Sequence, residues 1–148
     1  MNIDTELLED IAVNTGSESD GKFHSDNYWL KQIAVNTGST ITGGAKSDNY
    51  YLREIAKNTG STLNNHKNNV WLIRQIAINT GSSITGALKS IKYYLNLIKQ
   101  NTDYRIVLTG DKEVVVEGQT LELSATVTHG DEVLSGKTVS FYLEVEND

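Results

Sequence analysis

The residues best suited to proton transfer or metal binding near neutral pH are three histidines, His24, His66 and His129. Each stands in a polar stretch far from the next, with no ligand spacing around it. The chain has no cysteine and no proline, so neither a thiolate zinc site nor a disulfide framework is expected. Gly43–Gly44 and the recurring Thr-Gly-Ser turns lack the Gly-Lys-Ser/Thr that completes a phosphate loop. Serine and threonine are plentiful, but no nucleophile elbow is present. The Asn-Thr-Gly phrase has glycine where a glycosylation sequon needs Ser or Thr. Aromatic pairs at Tyr28–Trp29, Tyr50–Tyr51 and Tyr93–Tyr94, with Trp71, have faces that stack on sugars. They recur at one helical phase, which points to packing. The expectation is a protein with no catalytic residues, no cofactor and no metal.

The elements that carry these residues repeat. DNYYLREIAKNTGS at 48–61 is matched by DNYWLKQIAVNTGS at 26–39, NVWLIRQIAINTGS at 69–82 and TELLEDIAVNTGS at 5–17. A decayed copy, KYYLNLIKQNTD, follows at 92–103. The asparagines Asn14, Asn36, Asn58, Asn79 and Asn101 lie 22, 22, 21 and 22 residues apart. Five copies at a steady period mark a repeat architecture.

Within one copy Leu52, Ile55, Ala56 and Thr59 fall on one face of a 3.6-period helix. Ser47 or Asp48 can cap its start. Gly60 can take the left-handed conformation that closes a helix, and Gly16, Gly38 and Gly81 sit equivalently. The last copy has Asp103 there. A helix of about 11 residues is not stable alone in water, so its stripe must bury against something larger. Two arrangements are open: repeats stacking within the chain, or identical chains meeting in parallel. A polar connector such as Thr40–Ser47 reaches about 25 Å when extended, against about 17 Å for the helix, which fits either. The expected interface residues are Leu30, Ile33, Leu52, Ile55, Ile73, Ile76, Leu88, Ile91, Leu95 and Ile98, with Gly16, Gly38, Gly60 and Gly81 as helix stops.

At 148 residues the chain makes one domain or two small ones. Its first 20 residues hold six acids and no apolar core, unlike a signal peptide, and no apolar run approaches a membrane span. Synthesis in the cytoplasm is expected. The net charge of −6 conceals segregation. Residues 1–26 carry seven acids and one lysine, 27–103 nine bases and three acids, and 104–148 three bases and nine acids. The middle bases are spread too thinly for a phosphate-tracking patch, so nucleic acid is not an expected partner.

Ile84, Leu88, Ile91, Leu95 and Ile98 follow a 4-3-4-3 spacing. Read as a heptad seam, with Leu at one core position and Ile at the other, it favours a higher-order bundle, here a homotrimer. The other reading is one longer amphipathic helix packed in its own chain. From Tyr104 the period becomes two: Leu121, Leu123, Ala125 and Val127 alternate with polar residues, and Val139, Phe141, Leu143 and Val145 repeat the pattern after a turn at His129–Asp131. Ile106 and Leu108, then Val114 and Val116, supply shorter strands.

The stretch VEGQTLELSATVTHGDEVLSGKTVSFYLEV, Val116 to Val145, resembles the bacterial immunoglobulin-like domains of adhesins, intimin-like proteins and phage virion proteins. Such a sandwich needs about seven strands and roughly 100 residues, so the likeness implies a partial domain, continued past Asp148 or completed by another chain. The fold class expected is mixed: short α-helical repeats and a coiled-coil-like helix, then a partial all-β sandwich. The divisions are 1–26 (acidic segment with the first repeat, an anchor), 27–83 (repeat stalk), 84–103 (heptad helix) and 104–148 (partial immunoglobulin-like β domain).

Repeats of the DNYYLREIAKNTG kind, over residues 5–103, resemble those of head-fibre, tail-fibre and related structural proteins of tailed phages. The resemblance implies a virion protein: an attachment and stalk part that holds immunoglobulin-like domains outward for adhesion. Its partners would be its own copies, a capsid, portal/neck or baseplate protein, and a host-surface receptor or glycan reached through distal domains. Two other readings stand beside it. One is a repeat scaffold or decoration protein whose helices dock on capsid or baseplate subunits. The other is a cellular surface adhesin, which the missing export signal disfavours.

Overall fold

The structure, a computed structural model, describes residues 4–110, 118, 120, 122–130 and 132–134. Two compact units divide between Asp103 and Tyr104. The first contains α1 (Thr5–Thr15), α2 (Asp26–Thr37), α3 (Asp48–Thr59), α4 (Asn69–Asn79) and α5 (Ile91–Thr102). The second contains β1 (Tyr104–Gly110), β2 (Leu123–His129) and β3 (Glu132–Leu134).

Each helix begins where a short polar side chain satisfies a first-turn amide. Asp4, Ser25, Ser47, Asn68 and Ser90 accept from Leu7, Tyr28, Tyr50, Trp71 and Tyr93 N–H respectively. Each of the first four ends in a turn with glycine at positive φ: 136° at Gly16, 133° at Gly38, 134° at Gly60 and 136° at Gly81. The following serine N–H returns to the carbonyl of Ala12, Ala34, Ala56 or Ala77 at 2.8–3.0 Å, the six-to-one bond of a Schellman closure. A Cβ on Gly38 would meet Asn58 Cγ at 3.8 Å, an ordinary contact, so the backbone and not space demands glycine. Gly38→Val is expected to destabilise the helical unit by about 1–3 kcal/mol, read from urea unfolding followed by helical circular dichroism.

The helices form a closed ring. Each packs on its sequence neighbours, and α5 packs on α1 as closely as on α4. Bonds join C-terminal ends to C-terminal ends and N-terminal ends to N-terminal ends (described below), so all five helices run parallel. Each connector therefore returns the chain along the outside, which its extended length permits. The apolar stripes meet on the axis in two tiers: Leu8, Leu30, Leu52, Ile73 and Leu95, then Ile11, Ile33, Ile55, Ile76 and Ile98. The cavity left between them is about 20 Å³ and wholly apolar, so the axis is a packed core and not a channel. A second shell of Leu7, Trp29, Tyr51, Leu72 and Tyr94 is buried at the position just before the first tier. Alanines 12, 34, 56 and 77 are fully buried, small enough for adjacent backbones to approach.

Three sequence expectations change here. The 84–103 helix does not exist as one element: α5 starts at Ile91, capped by Ser90. Ile84 belongs to the connector and packs on the ring, while Leu88 is 56% exposed. Gly86 at φ 87° sits in that connector, a conformation incompatible with a helix through it. The 4-3-4-3 spacing is thus not a coiled-coil seam. The pieces 1–26, 27–83 and 84–103 are parts of one compact unit, with α1 a full member of the ring.

In the second unit the strands form an antiparallel sheet of order β1-β2-β3. Tyr104 pairs with His129 and Gly110 with Leu123, and β2 turns into β3 at Gly130. Along β2, Ser124 and Thr126 are exposed and Ala125 and Val127 half-buried, the alternation of a sheet with one covered face. Val114, Val116, Leu121, Val139, Phe141, Leu143 and Val145 lie outside the described residues.

Candidate partner-binding surfaces of the ring

The Asn-Thr-Gly-Ser phrase does more than stop helices. Asn36 Nδ2 donates to Ala12 O, Thr15 Oγ1 and Ser17 Oγ of the preceding repeat, at 3.2, 3.3 and 2.9 Å. Asn58 binds Ala34, Thr37 and Ser39 in the same way, Asn79 binds Ala56, Thr59 and Ser61, and Asn101 binds Ala77, Thr80 and Ser82. Asn14 completes the circle through Lys99 O at 3.2 Å and Thr102 Oγ1 at 3.3 Å. Every letter of the phrase has a lateral or closing role: asparagine donates, threonine and serine accept, and glycine lets the turn form. Sequence reading finds the stop but not the ladder, because the acceptors lie 18–24 residues upstream, on a neighbour fixed only by folding.

A second set of ties runs round the other end. Thr5 Oγ1 donates to Asp26 at 2.5 Å, Asn27 to Asp48 at 2.8 Å, and Asn49 to Asn69 at 2.9 Å. The α5–α1 junction differs from the rest. Lys99 replaces the alanine and pairs with Asp10 at 3.0 Å, and Lys92 approaches Asp4 at 3.9 Å. Both are partly exposed, so they contribute at most about 1 kcal/mol each. Their value is orientation, since they mark which two ends belong together.

The interface candidates are therefore distributed as follows. Leu30, Ile33, Leu52, Ile55, Ile73, Ile76, Leu95 and Ile98 are buried on the chain's own axis, and Ile91 is partly buried against the same core. Leu88 alone of the set faces solvent. The ring buries these eight axial side chains within one chain.

What the ring presents outward also repeats. Tyr28, Tyr50, Trp71 and Tyr93 occupy one station at the N-terminal rim, each edge-on to or beside a buried neighbour. His24 stacks on Tyr28 at 3.9 Å, and the Lys46 and Lys67 ammonium groups lie 5.9 and 4.9 Å from the Tyr50 and Trp71 rings. Cation and aromatic thus pair at successive stations. The first repeat breaks the series with Glu6.

Beside Glu6 is an open cleft of about 540 Å³, lined by Asp4, Thr5, Glu6, Glu9, Phe23, His24 and Trp29. In later connectors Ile41, Leu63 and Ile84 pack on the core. The first connector has Ser19 in that place, and it donates to Glu9 at 2.7 Å. Phe23 is 87% exposed, whereas Trp29 is 1% exposed with its Nε1–H buried and lacking an acceptor. In two equivalent places a tyrosine hydroxyl accepts from the connector: Lys46 N–H to Tyr51 and Lys89 N–H to Tyr94, at 2.9 and 2.8 Å. An indole cannot accept, so this repeat loses that tie. Leaving such a donor unpaired costs about 1–3 kcal/mol.

His24 Nε2 lies 3.1 and 3.0 Å from the two Asp20 oxygens. The Lys22 backbone N–H and then the His24 ring hold the Asp20 carboxyl below the usual range. A depressed carboxyl contributes stability above its unfolded value and loses it as pH falls through the folded value, so this contribution is intact at neutral pH. His66 is exposed and His129 stacks on Tyr104 at 4.2 Å; the three histidines are not brought together. Among the described residues no group of three or more His, Asp or Glu is placed to hold a metal ion, and no helix is long and apolar enough to cross a membrane. No protein-family model, curated protein or solved structure matches the chain.

Proposed function

We propose that the protein is a structural component of a virion: the attachment part of a tailed-phage head or tail fibre, joined to an immunoglobulin-like domain begun by β1–β3. The observation that supports this best is the division of labour in the repeat. Its conserved-in-kind polar letters tie the ring together, and its outward stations offer a similar aromatic and basic surface several times over. A rigid ring with repeated outer faces suits docking on an assembly of identical subunits, where weak contacts sum. The fibre reading further rests on the likeness of the repeats to those of phage fibre proteins.

The structure favours one version of this function over another. The apolar stripes close on themselves, so the helices serve as a docking head and not as strands of a trimeric stalk. Docking through outer faces also accommodates the decoration-protein reading, in which the same head sits on capsid or baseplate subunits. Attachment is assigned to the whole ring, because removing residues 1–26 would delete α1. The test is mass spectrometry of purified particles from cells making the protein. A fixed number of copies per particle, kept through density-gradient purification, is the expected result; absence from particles would refute a virion role.

A further inference from the structure

We infer that the N-terminal rim of the ring, over α3, α4 and α5, binds an acidic, partly apolar peptide segment of a partner protein. The inference rests on the docking reading above for the partner's place in a particle alone. Among the described residues the ring sorts its exposed large apolar side chains by end. Phe23, Tyr28, Tyr50, Leu88 and Tyr93 stand at the N-terminal rim, and Val13 and Val35 lie toward the other end. Apolar exposure gathered on one face marks an interaction surface. Lys46, Lys67 and Lys89 each immediately precede the residue that caps α3, α4 or α5, so folding brings onto one rim charges that lie 21 and 22 residues apart in the chain. Lys57, Lys92 and Lys99 have carboxylate partners in Glu54, Asp4 and Asp10. Lys46, Lys67 and Lys89 take part in no ion pair among the described residues.

An acidic peptide fits this rim better than a nucleic acid or a sugar. The Lys46 and Lys67 ammonium groups lie over the Tyr50 and Trp71 rings. A stacked base or sugar would have to displace them, whereas a carboxylate meets each ammonium where it stands. Asp26 and Asp48, in the first turns of α2 and α3, interrupt the basic rim. A phosphate backbone is charged at every unit and cannot skip them. A peptide can set carboxylates at the lysines and apolar side chains against Tyr50, Leu88 and Tyr93. The lysine backbones are already tied down. Lys46 and Lys89 N–H donate to the Tyr51 and Tyr94 hydroxyls, and the Lys46 and Lys67 carbonyls accept from Asn27 and Asn49 at 2.8 Å. A surface fixed before binding loses less freedom when a partner arrives.

The chain contains two tryptophans: Trp71 lies beside Lys67 at this rim, and Trp29 is buried on α2, outside the sector. The experiment titrates the ¹⁵N-labelled chain with an acetylated, amidated pentapeptide of alternating glutamate and leucine. The glutamine–leucine pentapeptide is the neutral isostere, a short oligothymidylate the nucleic-acid probe and maltotriose the sugar probe. A saturable shift of the Trp71 indole N–H signal with the glutamate peptide alone is expected, with Trp29 unmoved. In the Lys46→Gln/Lys67→Gln/Lys89→Gln variant the apparent affinity should fall about tenfold or more, since three exposed charge pairs are lost. The Trp29 signal keeps its position there as evidence of folding. Lys57→Gln, which removes a base from the far end of α3, should bind as the parent does. The inference is overturned if Trp71 does not respond to the glutamate peptide, or if any of the other three probes shifts it as strongly. It is equally overturned if the folded triple variant binds as the parent does, if Lys57→Gln weakens binding as much as the triple variant, or if dilution of the chain alone moves Trp71, the sign of a second copy on the rim.

Discussion

Leu52→Ala should destabilise the helical unit by about 2–5 kcal/mol, whereas Leu88→Ala should change stability by less than about 0.5 kcal/mol. Leu52 is 2% exposed and belongs to the first of the two tiers on the axis, between its counterparts Leu30 and Ile73. Removing three heavy atoms there loses their transfer free energy and leaves a void that a closed ring cannot collapse freely. Leu88 lies on a connector and faces solvent, where truncation has little effect. A heptad bundle would predict a substantial loss at both positions. Urea unfolding followed by helical circular dichroism separates the two cases, and a Leu88 effect comparable to that of Leu52 would contradict the ring.

The second large effect is expected at the asparagine ladder. Asn58→Ala removes three hydrogen bonds, to Ala34 O, Thr37 Oγ1 and Ser39 Oγ. At about 0.5–1.5 kcal/mol each the gross loss is a few kcal/mol. The acceptors keep other partners, since Ser39 N–H still reaches Ala34 O and Thr37 Oγ1 still donates to Ile33 O. No buried group is orphaned, so about 2 kcal/mol is the expected cost. Asn14→Ala removes only two such bonds and should cost less. Equal stability of parent and Asn58→Ala, measured by the same unfolding, would show that glycine closure alone explains the phrase.

How much of this was legible in the sequence differs from element to element. The helices were, because Leu52, Ile55 and Ala56 fix a face and Gly60 a stop within a dozen residues. Closure was not. The partner of Asn14 is the backbone of residue 99, and no local pattern states that a fifth repeat returns to the first. One signal was available: Lys99 stands where four copies have alanine, and Asp10 is the acid that answers it. The heptad reading failed for a specific reason. Ile84 matches Ile41 and Leu63 as connector residues that tuck onto the core, and the following helix begins at Ser90 as its relative begins at Ser47. Aligning repeats through their connectors, with Gly86 on Gly43, separates connector from helix where apolar spacing alone joined them. The acidic cleft was visible only as an excess of charge on the first repeat, and the indole without an acceptor is a product of tertiary packing around Trp29.

The claim on which the rest depends is that α5 closes on α1 of its own chain. Asp10 and Lys99 lie 3.0 Å apart across that junction, within reach of a zero-length carbodiimide cross-link. The decisive measurement mixes unlabelled and ¹⁵N-labelled protein, cross-links at low concentration and identifies the Asp10–Lys99 peptide pair by mass spectrometry. Closure within one chain predicts pairs that are wholly light or wholly heavy. Mixed light–heavy pairs at the statistical proportion, or no Asp10–Lys99 link at all, would contradict it.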